Sequence, residues 1–151
     1  MEELLFYNEW EPWGELCNYY VRDMVIDGIT WRSVEHYYQA EKSLDPTYRQ
    51  LVHDAATPAD AKALGNDPAW EHRADWDTWK LMAMRRGLFY KFMQNQDLRE
   101  LLLSTGDQVL HENSMVDYYW GIGETKTGLS MLGKELMALR EELRVWQKSE
   151  L

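Results

Sequence analysis

Thr30-Trp31-Arg32-Ser33-Val34-Glu35-His36-Tyr37-Tyr38-Gln39-Ala40-Glu41-Lys42 is the stretch on which the reading of the chain turns. Ile26-Asp27-Gly28-Ile29 leads into it as a tight turn. Ser33 is placed to accept a backbone N–H of the first helical turn, as an N-cap does. From Val34 to Leu44 there is neither Gly nor Pro, so about three turns of helix are expected. On that helix Glu35, Tyr38, Gln39 and Lys42 stand at i, i+3, i+4 and i+7, on one face. A carboxylate, a phenol, an amide and an amine then share a stripe. A solvated face explains this, because the helix dipole favours Glu35 in the first turn and Lys42 near the last. The wall of a polar pocket is the alternative, behind the solvated face as the plainer explanation of the pattern.

Working outward, Met24-Val25-Ile26, Asp27-Gly28 and Ile29-Thr30-Trp31 read as a hairpin. Leu4 to Tyr7 reads as a short strand. Downstream, helices are expected from Pro46 to Asp54, and from Thr57-Pro58 to a C-terminal Gly65. A third is expected from an Asp75 cap through about Gln94, with Gly87 as a point of close packing. Asp97 to Glu100 resembles a capping box, opening a helix that stops at Gly106. Val109 to Glu112 is a candidate strand. The last helix spans about Ser130 to Trp146, with Leu132, Leu136, Leu139, Leu143 and Trp146 as one apolar stripe. Residues 148–151 are expected to fray. The fold class is therefore mainly α, with a small N-terminal β element, in a single domain over residues 1–151.

The chain has 151 residues and a formal net charge of −10. A broad duplex-binding surface needs clustered Lys and Arg, so no extended nucleic-acid surface is expected. Cys17 is the one cysteine, which excludes an internal disulfide and fits a reducing, cytoplasmic setting. His36, His53, His72 and His111 lack metal-ligand spacing, so a metal is not implied. No apolar run is long enough for a membrane span.

Two further polar groups stand out. Arg73 and Trp76 flank the start of a helix, where a guanidinium and orphan N–H groups suit a phosphate; Asp75 between them is read mainly as a cap. In Asp117-Tyr118-Tyr119-Trp120-Gly121-Ile122-Gly123, Trp120 can stack on a base, and Gly121 and Gly123 let backbone N–H groups approach a ligand. An ordinary turn is the plainer explanation of the Gly-x-Gly.

Glu35-His36-Tyr37 with Gln39-Ala40 and Lys42, then Asp117, Trp120-Gly121 and Gly123, together with Asn18, Arg73, Trp76 and Glu112, occur in the order of the YbiA-like, or NADAR, family. The chain resembles that family over nearly its whole length. One departure is Leu16-Cys17 ahead of Asn18, where the family usually carries an aromatic and a small hydroxyl residue. The resemblance implies a mainly helical fold and N-glycosidase activity without a cofactor. The implied substrates are small ribosyl nucleotides: early riboflavin-pathway ribosylamino-pyrimidine 5′-phosphates, or ADP-ribose joined to guanine. It places Glu35 and Lys42 in the site with Asp117 and Trp120 opposite, as catalytic Glu35, Lys42 and Asp117. Asn18, Tyr38, Gln39, Arg73, Trp76, Trp120, Gly121 and Gly123 are the expected binding residues. Lys42 is the expected nucleophile toward C1′, and Glu35 the proton shuttle. A non-catalytic ADP-ribose or nucleotide reader is the alternative.

Overall fold

The strands and helices follow from local chemistry, and they assemble into two compact units, Met1–Cys17 with Asn95–Leu151, and Asn18–Gln94. The computed structural model describes residues 2–149. Its fold is mainly α, as expected, with six helices among the described residues.

In the unit formed by the two chain ends, β1 (Glu3–Phe6) pairs in parallel with β4 (Val109–Glu112), Glu3 opposite Val109 and Phe6 opposite Glu112. The alternating burial of β1 puts Leu4 and Phe6 inside. Helix α5 (Gln96–Ser104) buries Leu98 and Leu102. It opens at Asn95, so Asp97 lies within the first turn and does not cap. Thr105 closes it and Gly106 follows with φ +63°. Helix α6 (Met131–Ser149) crosses β4 closely: a Cβ on Gly133 would run into the Leu110 carbonyl. Its stripe is buried at Leu132, Leu136, Leu139 and Leu143, but Trp146 is 39 % exposed. The Arg99 guanidinium lies 5.4 Å from the Trp146 ring centroid, so a cation covers the ring where the stripe was expected to continue. The end expected to fray is helical at Lys148 and Ser149, and the rest of it lies outside the described residues.

In the unit Asn18–Gln94, β2 (Met24–Ile26) and β3 (Ile29–Trp31) form the hairpin, with Asp27 at φ 53° and Gly28 at φ 79°. Two successive positive φ angles are what a type I′ turn requires. Helix α1 (Val34–Ala40) follows, then α2 (Pro46–Asp54), α3 (Pro58–Gly65) and α4 (Trp76–Met93). Asp45 caps α2 at Thr47 N and Thr57 caps α3 at Asp60 N, each ahead of a proline in the first turn. On α4, Met84, Leu88 and Phe92 are buried, whereas Leu81 is only half-buried. Gly87 does serve close packing, since a Cβ there would lie 3.0 Å from Val34 Cγ1.

Every residue of α1 is buried, because α2, α3, α4 and β3 all pack against it. Ser33 caps it as expected, accepting from His36 N at 3.1 Å. His36 is locked in this cap. Its Nε2 lies 3.0 Å from the Ala55 carbonyl, which can only accept, so Nε2 carries the proton and Nδ1 accepts from Ser33 Oγ at 2.7 Å. Burial lowers its pKa below the ordinary histidine value. No helix among the described residues is long and apolar enough to cross a membrane.

Candidate active site

Helix α1 ends earlier than its sequence suggests. It stops at Ala40, and the chain tightens to three-residue bonds, with Lys42 N donating to Gln39 O at 3.2 Å. The reason lies in groups that compete for its last carbonyls. Tyr48 Oη donates to the Gln39 carbonyl at 2.6 Å, and Arg49 donates to the Ala40 carbonyl at 2.8 Å. Lys42 therefore stands just beyond the helix.

The shared polar face is buried, not solvated: Glu35, Tyr38, Gln39 and Lys42 are each less than a tenth exposed. Gln39 Nε2 donates to Glu35 Oε1 at 2.7 Å, which orients the carboxylate. Gln39 Oε1 is buried without a hydrogen-bond partner. Gly65 explains its confinement, since a Cβ there would collide with Gln39 Oε1 and lie 3.3 Å from Lys42 Cδ. Gly65 is thus the last residue of α3, with Asn66 following it at the cap. It is small because α1 presses on it, not because a positive φ is needed.

The Lys42 amine makes no hydrogen bond or ion pair among the described residues. It lies 5.9 Å from the Tyr38 ring centroid. Burial pushes its pKa below the ordinary lysine value; the Glu35 carboxylate opposes that shift and Lys62 on α3 adds to it. Tyr38 packs at 5.1 Å on Trp76, whose ring in turn meets His72 at 6.4 Å. Together these place an amine of reduced basicity beside an aromatic wall and within electrostatic reach of the Glu35 carboxylate.

Asn18 approaches the same helix. Its carbonyl accepts Glu35 N at 3.2 Å, its Nδ2 contacts Met84 Sδ at 3.4 Å, and its Oδ1 is buried without a partner. Arg73 is near Lys42 through the backbone, with Arg73 N donating to Lys42 O at 2.7 Å. The phosphate-gripping guanidinium expected there is already engaged. It pairs with Asp75 at 2.6 Å and Glu41 at 3.5 Å, and stacks 4.9 Å from the Trp79 ring. Asp75 accordingly makes no side-chain cap to α4; its carboxylate goes to Arg73.

The Asp117–Gly123 segment belongs to the other unit. Asp117 Oδ1 accepts Tyr119 N at 2.9 Å and Trp120 N at 2.7 Å, turning the loop on itself. Trp120 is buried and meets Tyr119 edge-on at 4.7 Å. The glycines serve the loop's own packing. A Cβ on Gly121 would lie 2.9 Å from Ser114 Cβ and 3.0 Å from two carbonyls. Gly123 has φ 72° and faces the Tyr118 ring.

Sequence reading passed over Glu41. Its carboxylate is buried and bound by Trp79 Nε1 at 3.1 Å, Arg49 at 3.5 Å and Arg73 at 3.5 Å. It lies off the Glu35–Lys42 stripe, and its local signal is an acid directly beside Lys42.

The family model described as the NADAR domain matches residues 5–144. An N-glycosidase of Nostoc punctiforme is 45 % identical over 144 residues, covering 93 % of this chain and 92 % of the relative. N-glycosidase YbiA of Escherichia coli is 38 % identical over 140 residues, 93 % of this chain and 88 % of that one. A riboflavin biosynthesis protein of Vibrio vulnificus is 38 % identical across 95 % of this chain, which spans 39 % of that longer protein. The NMR structure of Escherichia coli YbiA superposes with a TM-score of 0.90 at 36 % identity, covering 97 % of this chain and 87 % of that one. The chain belongs to the NADAR domain family.

Proposed function

We propose that this chain is an N-glycosidase hydrolysing the C1′–N bond between a ribose 5′-phosphate unit and an exocyclic nitrogen of a base. The observation that carries this reading is the buried Lys42 side chain, its amine lowered in basicity and without an ion pair among the described residues, within electrostatic reach of an oriented Glu35. Relatives named N-glycosidases and riboflavin biosynthesis proteins support a ribosylamino-pyrimidine phosphate as substrate. ADP-ribosyl-guanine presents the same linkage and is the second substrate to test. The family model spans both compact units, which supports residues 1–151 acting as one domain.

A ribosylamine opens to an imine at C1′. The unprotonated Lys42 Nζ adds its lone pair to C1′, and Glu35 carries the displaced proton to the nitrogen of the base. The C1′–N bond breaks, the base leaves as a neutral amine, and a Schiff base joins Lys42 to C1′. Water then adds to C1′, the lysine amine is released, and the sugar leaves as an aldehyde phosphate. One water is consumed and the enzyme is regenerated. Tyr38, Trp76 and Trp120 are assigned to the flat faces of the substrate, and Asn18 Oδ1 to a donor it brings. The free oxygen of Asp117 is assigned to a ribose hydroxyl or the leaving nitrogen. Gln39 acts by orienting Glu35, and Arg73 by its backbone bond to the Lys42 carbonyl.

The test incubates the full chain with each substrate, with and without borohydride. A reduced adduct on Lys42 and free base in the absence of borohydride are expected. Turnover without an adduct replaces the Schiff base by direct attack of water on an oxocarbenium-like C1′. Binding of ADP-ribose with turnover of neither glycoside leaves a nucleotide reader.

A further inference from the structure

Lys42 lies past the end of α1, so regular helix geometry does not hold it. The turn that carries it, residues 40–43, is held by groups from elsewhere in the unit. Arg49 on α2 donates to the Ala40 carbonyl at 2.8 Å and the Ser43 carbonyl at 3.4 Å. Arg73, ahead of α4, donates its backbone N–H to the Lys42 carbonyl at 2.7 Å. The same two arginines meet on the Glu41 carboxylate, each at 3.5 Å, and Trp79 Nε1 on α4 donates to it at 3.1 Å. Glu41 is thus the shared anchor of the Arg49 guanidinium, which bonds the turn's carbonyls, and of Arg73, whose backbone N–H bonds the Lys42 carbonyl. A buried carboxylate with two cations and an indole N–H is well compensated, and removing it leaves both cations without that anchor.

We propose that Glu41 is the positioning residue of the active site: it ties α2 and the start of α4 to the turn and thereby holds the Lys42 amine in its buried place. The proposal rests on Lys42 as the reactive amine. Arg73 then acts chiefly through Glu41 and the turn. The charged groups facing Lys42 are Glu35 from α1 and Lys62 from α3; Glu41 itself is turned to the arginines. Its effect on Lys42 therefore runs through position and access of water, not through direct pairing. With the anchor gone, the amine becomes more exposed to water, its basicity returns toward the ordinary lysine range of about 10.4, and the attack geometry slackens.

The experiment titrates Lys42 in the full chain by NMR of ¹³C-methylated lysines, assigned with Lys42→Arg. It pairs this with pH–rate profiles of unmodified enzyme. Glu41→Ala is expected to raise the Lys42 pKa and move the rising limb of the profile to higher pH. It should lower kcat about tenfold to a hundredfold with KM little changed. Glu41→Gln, which still accepts from Trp79 but lacks the charge, should fall between. Trp79→Phe keeps the ring under Arg73 and removes one donor; it should shift Lys42 in the same direction by less, and serves if Glu41→Ala does not fold. An unchanged Lys42 titration and unchanged kcat in folded Glu41→Gln and Trp79→Phe overturn the proposal. If Lys42→Ala retains full turnover while the Lys42 titration still follows Glu41, the anchor stands and the catalytic reading of Lys42 falls.

Discussion

The α1 segment and the Asp117–Gly123 loop carry similar polar and aromatic residues, but they use them differently. Around α1, polar groups are left with bonding capacity: Gln39 Oε1 and Asn18 Oδ1 are buried without a partner, and the Lys42 amine, just past the helix, lies 5.9 Å from the Tyr38 ring centroid without a hydrogen bond or ion pair among the described residues. In the loop, capacity is spent inward. Asp117 Oδ1 holds two backbone N–H groups, and the space beside Gly121 and Gly123 is filled by loop atoms. Unspent buried polarity is costly to folding, at roughly 1–3 kcal/mol for each unsatisfied group, so it marks where chemistry is expected. Spent polarity marks a scaffold.

The largest expected contrast is in turnover. Lys42→Ala should lower kcat by about 10³-fold or more, and Glu35→Gln by about 10²–10⁴-fold, both with little change in Tm. Normal turnover of Lys42→Ala breaks the distinction between the two regions. Asp117 sharpens it, because one side chain holds both roles. Asp117→Asn keeps an acceptor for Tyr119 N and Trp120 N, so its Tm should hold while kcat/KM falls roughly tenfold to a hundredfold. Asp117→Ala should also lose about 0.5–2 kcal/mol of stability in denaturant unfolding, from the lost turn bonds. An Asn variant with full activity would make Asp117 purely structural.

Gly123→Ala should cost about 1–3 kcal/mol, since φ 72° is strained for alanine and the methyl meets Tyr118. Lys42 should keep its titration in that variant.

The smallest effect is the pH dependence of His36. Its folded pKa is lowered by burial, so the unfolded chain binds the proton more readily. Stability is then fully present above the unfolded value, about 6.5, and is lost as pH falls through the folded pKa. Tm should decline between pH 7 and 5, and His36→Phe should flatten that slope even if its absolute Tm is lower. An unchanged slope would assign acid sensitivity to other groups.

The elements set by short-range bonds were legible in the chain. Ser33 and Thr57 cap by reaching N–H groups three residues on, and Asp27-Gly28 turns because two adjacent residues take positive φ. The α6 leucines follow the helical period up to Leu143. All of this depends on neighbours a few residues apart, so sequence alone determines it. The tertiary structure decided where α1 stops, because Tyr48 and Arg49 compete for its last carbonyls from another helix. It decided that Arg73 faces Glu41 and Asp75 in place of an open phosphate site, and that Trp146 stays half-exposed under Arg99. Above all it decided the state of the Glu35–Lys42 face, which the pattern left open between solvent and pocket. Burial and basicity depend on which distant segments close over a residue, and no local spacing carries that information.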